Sequence, residues 1–560
     1  MSSARNPVLP GFHPDPSICR VGDEFFVVTS TFEYFPGLPV HRSRDLVEWE
    51  LVGHAVHREE QLDLSSVPAS GGLFAPTIRH HDGRFLVACT LVGGDGRQGS
   101  FVVTATDSAG PWSDPAWIED APGIDPSLFF DDDGRAWWCG TRLADPGDWP
   151  EQTEVWVREL DLTTMALVGE EHVVWHGAVE GAVWAEGPHL YRLGSGGDSR
   201  SGSDDTHAGA VLLLASEGGT ERHHAVSAAR GPGPTGPFTG SKANPLLTHR
   251  HLGGEVGVAN VGHADLVDDG RGGWWATVLA TRRLPVGDER GKGHEARADA
   301  LQGRETWLVP VAFEGGWPVF APGDGRLRDD VDVPWAAALP HRGRHLFDDF
   351  DGPALHPELV TVRTAAGIRR ARLGERPGHL RLHAVSGGLA ELAPHAFAGF
   401  RLEQPAATLE TVVELPDAAP PGLLAGLALR HSEHRHLTLG VRVGATGRAL
   451  ELVLHVDGER RLLGRSEVPA GRVRLVVEVD GFGATAGFEH EGHCIDVGSA
   501  DLIPLSPSEG GGFAGVVGGA FVVAGPGGSD DGAAGAATND ERAAAVALWA
   551  DFELLSLVHP

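Results

Sequence analysis

The chain has 560 residues, more than one hydrophobic core usually spans, and this length predicts at least two domains. The formal net charge of −32 argues against nucleic acid and against an anionic membrane as partners, because both require a basic protein surface. No apolar stretch reaches the ~18 residues of a membrane-spanning helix, and the first residues contain no apolar core of a signal peptide. We therefore predict a cytoplasmic protein whose scattered cysteines are reduced, and leave a homo-oligomer open.

The N-terminal part of the chain repeats one short pattern. Each copy begins with a polar or Pro-containing step and one apolar residue, then continues through a turn signal into an apolar strand. The copies start at Asp15, Ala75, Asp125, Glu186 and His263. β-Units of this length, without helical periodicity, predict a five-bladed β-propeller.

The C-terminal part alternates apolar and polar residues along short runs separated by Asp-Gly turns. The alternation is clearest at 436–443, 450–456 and 473–479. It predicts an antiparallel, jelly-roll-like β-sandwich, so the fold class is all-β. Two low-complexity segments, 195–207 and 525–541, are predicted to be flexible insertions.

Tryptophan separates the two parts of the chain. Fourteen of the fifteen tryptophans lie between Trp49 and Trp335, and the Pro-containing segment 333–346 is typical of a linker. We therefore predict a propeller domain over residues 1–335 and a sandwich domain over residues 345–560.

Equivalent positions of successive blades lie on a ring around one axis, so the repeat starts predict which side chains share a cavity. Asp15, Asp125 and Glu186 would meet there, with His263 at the fifth position. Gly187 is the strict equivalent of the two aspartates, but the longer side chain of Glu186 reaches the same space. Neighbouring carboxylates repel one another, so at least one should stay protonated near neutral pH, as glycoside hydrolysis requires. The alternative is structural, because an Asp-Pro step often simply begins a turn.

The segments around these acids resemble glycoside hydrolase family 43, the β-xylosidase and α-L-arabinofuranosidase group. The resemblance rests on Asn6-Pro-Val-Leu-Pro-Gly-Phe-His-Pro-Asp-Pro-Ser, Gly123-Ile-Asp-Pro-Ser-Leu and Trp184-Ala-Glu-Gly-Pro-His, supported by Val261-Gly-His-Ala-Asp-Leu and Gly303-Arg-Glu-Thr. It extends from residue 6 to about residue 320, and Phe347-Asp-Asp-Phe-Asp-Gly-Pro resembles the start of the sandwich in the β-xylosidase branch.

The resemblance implies single-displacement hydrolysis with inversion at the anomeric carbon. Asp15 would be the general base, Asp125 the acid that tunes pKa and orients substrate, and Glu186 the general acid. The carboxyl groups of Asp15 and Glu186 are then expected to stand ~6.5–9.5 Å apart, which leaves room for the attacking water.

The resemblance also implies substrate contacts. Arg282 falls where the family places an arginine against the sugar hydroxyls, and Arg283 is the alternative one position away. Phe32 and Phe74 are predicted walls of the sugar subsite, with core packing as an equal alternative; Phe74 stands where the family usually has Trp. No cofactor is expected to be required. His263 lies where family members often hold a cation, frequently calcium, and a hydrogen-bonded structural histidine is the alternative.

Together these features predict an exo-acting β-1,4-xylosidase whose partner is a small oligosaccharide. Two alternatives remain open: an α-L-arabinofuranosidase, and a non-catalytic carbohydrate-binding propeller. The three carboxylates argue against the second, because a binding protein gains nothing from mutually repelling acids in its pocket.

Overall fold

The fold is described from a computed structural model of the chain. The described residues are 3–193, 209–287, 296–336, 344–363, 371–386, 388–524 and 548–560, so both predicted insertions lie outside them. Within these ranges the helical structure is one 3-10 turn (Ile503–Leu505) and one α-helical turn, α1 (Pro507–Gly510). No helix of the described part is long and apolar enough to cross a membrane.

The N-terminal part forms five antiparallel sheets, which are blades 1 to 5 of a β-propeller. Strand β1 (Ser3–Arg5) precedes the blades. Blade 1 contains β2 (Ser17–Val21), β3 (Glu24–Val28), β5 (Gly37–Ser43) and β6 (Glu50–Val56), and the short strand β4 (Tyr34–Phe35) lies between β3 and β5 in the chain. Blade 2 contains β7 (Gly72–Leu73), β8 (Thr77–His81), β9 (Arg84–Val92), β10 (Gly99–Ala105) and β11 (Ala116–Trp117). Blade 3 contains β12 (Ile124–Phe130), β13 (Ala136–Leu143), β14 (Thr153–Asp161) and β15 (Ala166–Trp175).

Blades 4 and 5 complete the ring. Blade 4 contains β16 (Glu186–Arg192), β17 (Val211–Glu217), β18 (Ala225–Gly231) and β19 (Thr239–Gly240). Blade 5 contains β20 (Val258–Asp268), β21 (Trp274–Pro285), β22 (Arg297–Glu314) and β23 (Trp317–Phe320). The prediction of a five-bladed propeller is confirmed.

The repeated sequence pattern becomes the inner strand of each blade. The inner strands β2, β8, β12, β16 and β20 contact one another in ring order. A tight turn then leads outward; in blade 2 it is formed by Asp82 and Gly83, whose φ angles of 48° and 74° suit a two-residue hairpin turn. The starts of the repeat therefore share one end of the propeller axis.

A buried hub around Asp265 ties four inner strands together. Its carboxylate in blade 5 accepts hydrogen bonds from Ser17 Oγ in blade 1 at 2.6 Å and from Arg79 Nη1 in blade 2 at 2.8 Å. The Tyr191 hydroxyl in blade 4 donates to the same carboxylate. Burial alone would raise the pKa of Asp265, but Arg79 and the other neighbours lower it below its ordinary value. The buried Asp265 carboxylate thus links blade 5 to blades 1, 2 and 4 through hydrogen bonds.

The C-terminal part is a sandwich of two sheets, as predicted. After β24 (Asp330–Asp332), its strands begin with β25 (His345–Asp348), β26 (Thr361–Val362), β27 (Ala371–Arg372), β28 (Leu380–His383), β29 (Val385–Ser386), β30 (Ala396–Arg401), β31 (Ala406–Glu414) and β32 (Leu423–Arg430). They continue with β33 (Arg435–Val443), β34 (Arg448–Val456), β35 (Glu459–Glu467), β36 (Arg472–Asp480), β37 (Gly483–His490), β38 (His493–Asp501), β39 (Val517–Ala524) and β40 (Trp549–Val558).

Each sheet buries one face in the core between the two layers. One sheet has the order β27-β28-β40-β31-β36-β37-β38, with β25 also paired to β40. The other has the order β29-β39-β32-β33-β34-β35, with β30 also paired to β39. Alternate residues of β36 are buried and exposed, which is the period-2 pattern of a strand covered on one side.

The sandwich packs on the propeller through a buried charged cluster. Arg430 of β32 donates to Glu33 at 3.2 Å and to the Tyr34 hydroxyl at 2.8 Å. Arg363 forms an ion pair with Glu433 at 3.0 Å in the same cluster. In addition, β26 pairs with β4 of the propeller. These contacts fix the sandwich against blade 1 of the propeller.

The predicted domain boundary falls in a segment that is only partly described. Strand β24 pairs with β1 at the N-terminus of the propeller, and Val333 packs in the same hydrophobic cluster as Val8. Residues 337–343 lie outside the described ranges, and β25 follows at His345. The boundaries at 335 and 345 stay predictions.

Candidate active site

Four of the five repeat copies have a residue in the left-handed backbone region at matching positions. The φ angles are 53° at Asp15, 55° at Asp125, 55° at Gly187 and 51° at His263. Gly187, not Glu186, is thus the structural equivalent of the two aspartates, as the repeat predicts. Left-handed backbone at non-glycine residues costs about 1–3 kcal/mol each, and such strain clusters at active sites and ligand sites. This strain favours function over a simple turn-forming role for the Asp-Pro steps.

Asp15, Asp125 and His263 line a cavity of about 430 Å³. The volume falls within the ~300–1,000 Å³ usual for small-molecule sites. At its inner end Asp15, Asp125 and His263 are buried, whereas Glu151 and Glu221 at the outer end are exposed. The other lining residues are Phe32, Phe74, Ala75, Ile124, Val183, Trp184, Glu186, Gly218, Gly219, Thr220, Arg304 and Phe513.

Asp15 is surrounded by groups that favour its charged form. Its Oδ2 accepts a hydrogen bond from Ser30 Oγ at 2.6 Å, and its Oδ1 accepts one from Arg304 Nη1 at 3.0 Å. His263 Nδ1 lies 4.0 Å from the same Oδ1. Burial alone would raise the pKa of Asp15, but Arg304, His263 and Ser30 together lower it below its ordinary value. Asp15 is therefore ionised at neutral pH.

Asp125 lies in a less polar setting. Its Oδ2 accepts a hydrogen bond from the Gly187 backbone N–H at 3.0 Å. Burial, with the negative charge of Asp15, raises the pKa of Asp125 to about 6, although His263, Gly187 and Arg304 oppose this shift. Asp125 therefore changes charge close to neutral pH.

Glu186 is the most strongly shifted of the three acids. Burial first, and then the charges of Asp125 and Asp15, raise the pKa of Glu186 well above its ordinary value, with Arg304 only partly opposing them. The two shifts are opposed: the surroundings of Asp15 favour its charged form, whereas those of Glu186 favour its protonated form. A pair of carboxyl groups whose pKa values are pushed apart in this way can serve as base and acid in one reaction.

Arg304 is a site residue that the sequence analysis missed. Besides Asp15, its Nη1 donates to Thr220 Oγ1 at 2.7 Å, and Thr220 also lines the cavity. Its guanidinium carbon lies 5.5 Å from the ring centre of Phe32 and 5.0 Å from that of Phe513. The signal was present in the segment Gly303-Arg304-Glu305-Thr306, which the resemblance already includes.

Arg282, the predicted sugar contact, does not line the cavity. Its Nε and Nη2 both donate to the buried Glu305 carboxylate at 2.7 Å, and its Nη1 donates to Gln404 of the sandwich at 2.7 Å. The reason is register: Arg304 of β22 pairs with Thr281 of β21. Arg282 is one residue further along, and such a step places a side chain on the opposite face of a sheet.

Arg283, the alternative assignment, is also paired with groups outside the cavity lining. Its Nε is 3.2 Å from Asp299 Oδ1, and its Nη1 donates to the carbonyl of Gly254 at 2.8 Å. Arg283 is not among the cavity-lining residues. The arginine available to a substrate in the described cavity is therefore Arg304.

Three phenylalanines form the apolar wall of the cavity. Phe32 and Phe74 line it together, with ring centres 5.8 Å apart. Phe513, which the sequence analysis did not identify, comes from the sandwich loop after α1, and its ring lies 5.6 Å from Phe32 and 5.9 Å from Phe74. Its backbone N–H donates to Ser70 Oγ of the propeller at 2.7 Å. The sandwich thus contributes a residue to the propeller cavity.

His263 combines structural contacts with a place at the cavity. Its backbone N–H donates to Ser216 Oγ at 2.6 Å, and a side chain at Gly187 would lie within 3 Å of its imidazole ring. Within the described residues no group of three or more His, Cys, Asp or Glu side chains is arranged to hold a metal ion. His263 and Asp15 alone are too few protein ligands for calcium, which takes ~6–8 oxygens. A structural cation here stays a prediction.

Sequence comparisons agree with this geometry. The family model described as "Glycosyl hydrolases family 43" matches residues 4–318, and "Beta xylosidase C-terminal Concanavalin A-like domain" matches residues 347–535. The chain is 36% identical to a "Xylosidase/arabinosidase" of Butyrivibrio fibrisolvens, over 93% of this chain and 96% of the relative. It is 38% identical to a "Non-reducing end alpha-L-arabinofuranosidase" of Bacteroides ovatus, over 68% of this chain and 64% of the relative.

Solved structures show the same two-part architecture. A Bacteroides ovatus protein described as "Xyloglucan PUL GH43B" superposes with a TM-score of 0.85 at 31% identity, covering 100% of both chains. The "xylan beta-1,4-xylosidase from Bacillus Halodurans C-125" superposes with a TM-score of 0.84 at 30% identity, covering 99% of both chains. Fold and site together define a glycosidase. The chain belongs to glycoside hydrolase family 43, so the resemblance found in the sequence is confirmed.

Proposed function

We propose that this glycosidase is an exo-acting β-xylosidase that releases xylose from short β-1,4-xylo-oligosaccharides with inversion. The observation that carries the proposal is the opposed titration of two acids in one cavity. Arg304, His263 and Ser30 keep the pKa of Asp15 low, while burial and like charges keep that of Glu186 high. Inverting hydrolysis requires one ionised and one protonated carboxyl group at the same pH.

In the proposed reaction one water molecule is consumed for each bond cleaved. Asp15 takes a proton from the water, whose oxygen attacks the anomeric carbon of the terminal sugar. The bond between that carbon and the bridging oxygen breaks as Glu186 gives its proton to the departing oxygen. Asp125 orients the sugar and, by its charge, keeps the pKa of Glu186 high.

Arg304 and the three aromatic rings would hold the sugar in place. Arg304 already donates to Asp15 and Thr220, and a guanidinium has five N–H donors, so further donors remain for sugar hydroxyls. The rings of Phe32, Phe74 and Phe513 offer apolar faces to the C–H groups of a pentose. A xylopyranose lacks the exocyclic CH₂OH of a hexopyranose, so it fits a subsite enclosed by aromatic rings.

The exo mode of action is supported by the shape of the cavity. The buried inner end contains Asp15 and Asp125, and Phe513 closes one side. The exposed residues Glu151 and Glu221 lie only at the outer end. A cavity that is closed at one end accepts a chain terminus rather than the middle of a polymer.

The choice of sugar rests on the relatives. The Butyrivibrio relative is named for both xylose and arabinose activity, and the Bacillus halodurans structure is that of a xylan β-1,4-xylosidase. An α-L-arabinofuranosidase is the second candidate, favoured by the name of the Bacteroides ovatus relative. Because the two pentosides present similar hydroxyls, small differences in pocket shape decide between them.

Initial rates on an aryl β-xyloside and an aryl α-L-arabinofuranoside test the proposal. We expect activity on the xyloside to exceed that on the arabinofuranoside, and the Asp15→Ala variant to lose ~10²–10⁴-fold or more. A reversed ratio would assign the arabinofuranosidase instead. Absence of activity on both, in a folded protein, would favour a non-catalytic carbohydrate-binding propeller.

The stereochemistry needs a separate measurement. NMR spectra of xylobiose hydrolysis, recorded before the product mutarotates, show which anomer is released first. Inversion of a β-linkage gives α-xylose, whereas initial release of β-xylose would contradict the single-displacement mechanism.

A further inference from the structure

Trp184 stands at the outer part of the cavity and has no role in the chemistry described so far. It lines the cavity and is half-buried, unlike its neighbour Ala185, which is fully buried. It lies two residues before Glu186, the proposed donor of the proton to the departing oxygen. A sugar whose linkage oxygen is protonated by Glu186 must extend outward from that oxygen, toward the open end of the cavity.

The backbone at Trp184 is held in a strained conformation by specific contacts. Its φ angle is 50°, in the left-handed region that a bulky residue seldom adopts. Its N–H donates to the carbonyl of Glu151 at 3.2 Å, and the carbonyl of Val183 accepts the N–H of Gly218 at 2.8 Å. Strained residues that their surroundings hold in place cluster at active sites and ligand sites.

The surroundings of the indole leave room for a ligand. A side chain at Gly219 would approach Trp184 Cδ1 to 3.7 Å, so the glycine keeps that edge of the ring free of side-chain atoms. Exposed Glu151 and Glu221 stand at the same end of the cavity. Their carboxylates can accept hydrogen bonds from sugar hydroxyls, whereas they would repel a negatively charged group.

We propose that Trp184 is the platform for the leaving-group sugar, a neutral pyranose ring that lies against the indole while Glu186 protonates its linkage oxygen. This inference rests on the proposed function and deepens it. It assigns a residue that recognises the leaving group, whereas the residues named above hold the terminal sugar whose anomeric carbon is attacked. Apolar C–H groups on one face of a pyranose bury against an aromatic ring, while its hydroxyls stay at the rim.

The test compares two substrates that share the terminal xylosyl group and differ in the leaving group. The leaving group of xylobiose is a xylose molecule, which can lie on the platform. The leaving group of β-xylosyl fluoride is a fluoride ion, which makes no contact with the platform. We expect Trp184→Ala to lower kcat/KM for xylobiose about 10-fold or more, the size of effect expected for losing one buried aromatic contact. Hydrolysis of the fluoride should be retained, which also shows that the variant is folded, and Trp184→Phe should restore most of the xylobiose activity.

A matched control is Trp117→Ala. Trp117 is also half-buried, but it lies in the outer strand β11 of blade 2, where Arg97 packs over its ring, and it does not line the cavity. The Trp117→Ala variant should leave the ratio of the two activities unchanged. The proposal is overturned if Trp184→Ala leaves xylobiose hydrolysis intact or lowers both activities equally. If the wild-type protein cleaves neither substrate, the proposed function itself fails, and the platform with it.

Discussion

Arg304 donates a hydrogen bond to Asp15 across 3.0 Å, and this contact joins the last blade of the propeller to the residue that precedes the first. The same guanidinium lies over the rings of Phe32 and Phe513. One side chain thus sets the charge of Asp15 and contacts the aromatic wall. A lysine could not replace it, because its single ammonium lacks the planar fork that reaches several partners at once.

Replacing Arg304 should shift the acid limb of the pH–activity profile. In an Arg304→Gln variant the positive charge that lowers the pKa of Asp15 is lost, so that pKa rises. We expect the acid limb of kcat/KM to move to higher pH, together with a large loss of activity. Arg282→Gln, which breaks a contact outside the cavity, should leave the position of this limb unchanged. An unshifted limb in Arg304→Gln would show that Arg304 does not control Asp15.

The basic limb should respond to Asp125. The negative charge of Asp125 helps to raise the pKa of Glu186, so the neutral Asp125→Asn variant should lower that pKa. Because Glu186 must be protonated to act as an acid, activity would then be lost at a lower pH than in the wild type. The measurement is the pH dependence of kcat/KM for xylobiose. A basic limb that stays in place would contradict the coupling between the two acids.

Acid should lower the stability of the fold through two buried histidines of blade 1, His41 in β5 and His54 in β6. Burial lowers the pKa of His41 to about 4 and that of His54 to about 3, with Arg401 adding to the effect and Glu358 opposing it. An unfolded histidine titrates near ~6.5, so below that pH the unfolded chain binds protons that the folded chain does not. Each histidine therefore lowers the free energy of unfolding by about 2 kcal/mol between pH 6.5 and pH 5.

Urea unfolding at these two pH values checks this expectation. The double variant His41→Gln, His54→Gln should lose less stability on acidification than the wild type does, whatever its stability at pH 6.5. Equal losses in the two proteins would show that these histidines are not the source of acid sensitivity.

The Asp265 hub should be essential to the stability of the propeller. Asp265→Asn leaves the guanidinium of Arg79 buried beside a neutral group, which should lower the free energy of unfolding by about 3–5 kcal/mol. Asp268→Asn is the matched control, because Asp268 forms a partly exposed ion pair with Arg20. Such pairs contribute about 0–1 kcal/mol. Similar effects of the two substitutions on chemical unfolding would argue against the hub.

Much of the fold could be predicted from local pattern. The repeat from Asp15 to His263 is visible because each inner strand needs the same start, turn and apolar run. The alternation in 473–479 likewise predicts a strand covered on one face, and β36 has that pattern. Both signals come from residues close together in the chain.

Of the site residues, those at the repeat starts could be predicted from the sequence, whereas Arg304 and Phe513 could not. Arg282 and Arg304 lie on neighbouring strands, and only the register of β21 against β22 decides which of the two arginines reaches the cavity. Phe513 lies in a sandwich loop without periodicity, and the hydrogen bond from its N–H to Ser70 that sets its position joins residues 443 apart. Contacts of this range depend on how the two parts pack, which no local pattern reports.

The most direct test of the account separates the roles of Asp15 and Glu186 by the leaving group. Dinitrophenyl β-xyloside has a leaving group that departs without protonation, whereas xylobiose needs an acid. The account predicts that Glu186→Gln loses xylobiose hydrolysis by ~10²–10⁴-fold but retains most activity on the dinitrophenyl xyloside, while Asp15→Asn loses both. If Glu186→Gln lost both activities equally, or Asp15→Asn kept the activity on the activated substrate, the assignment of acid and base would be wrong.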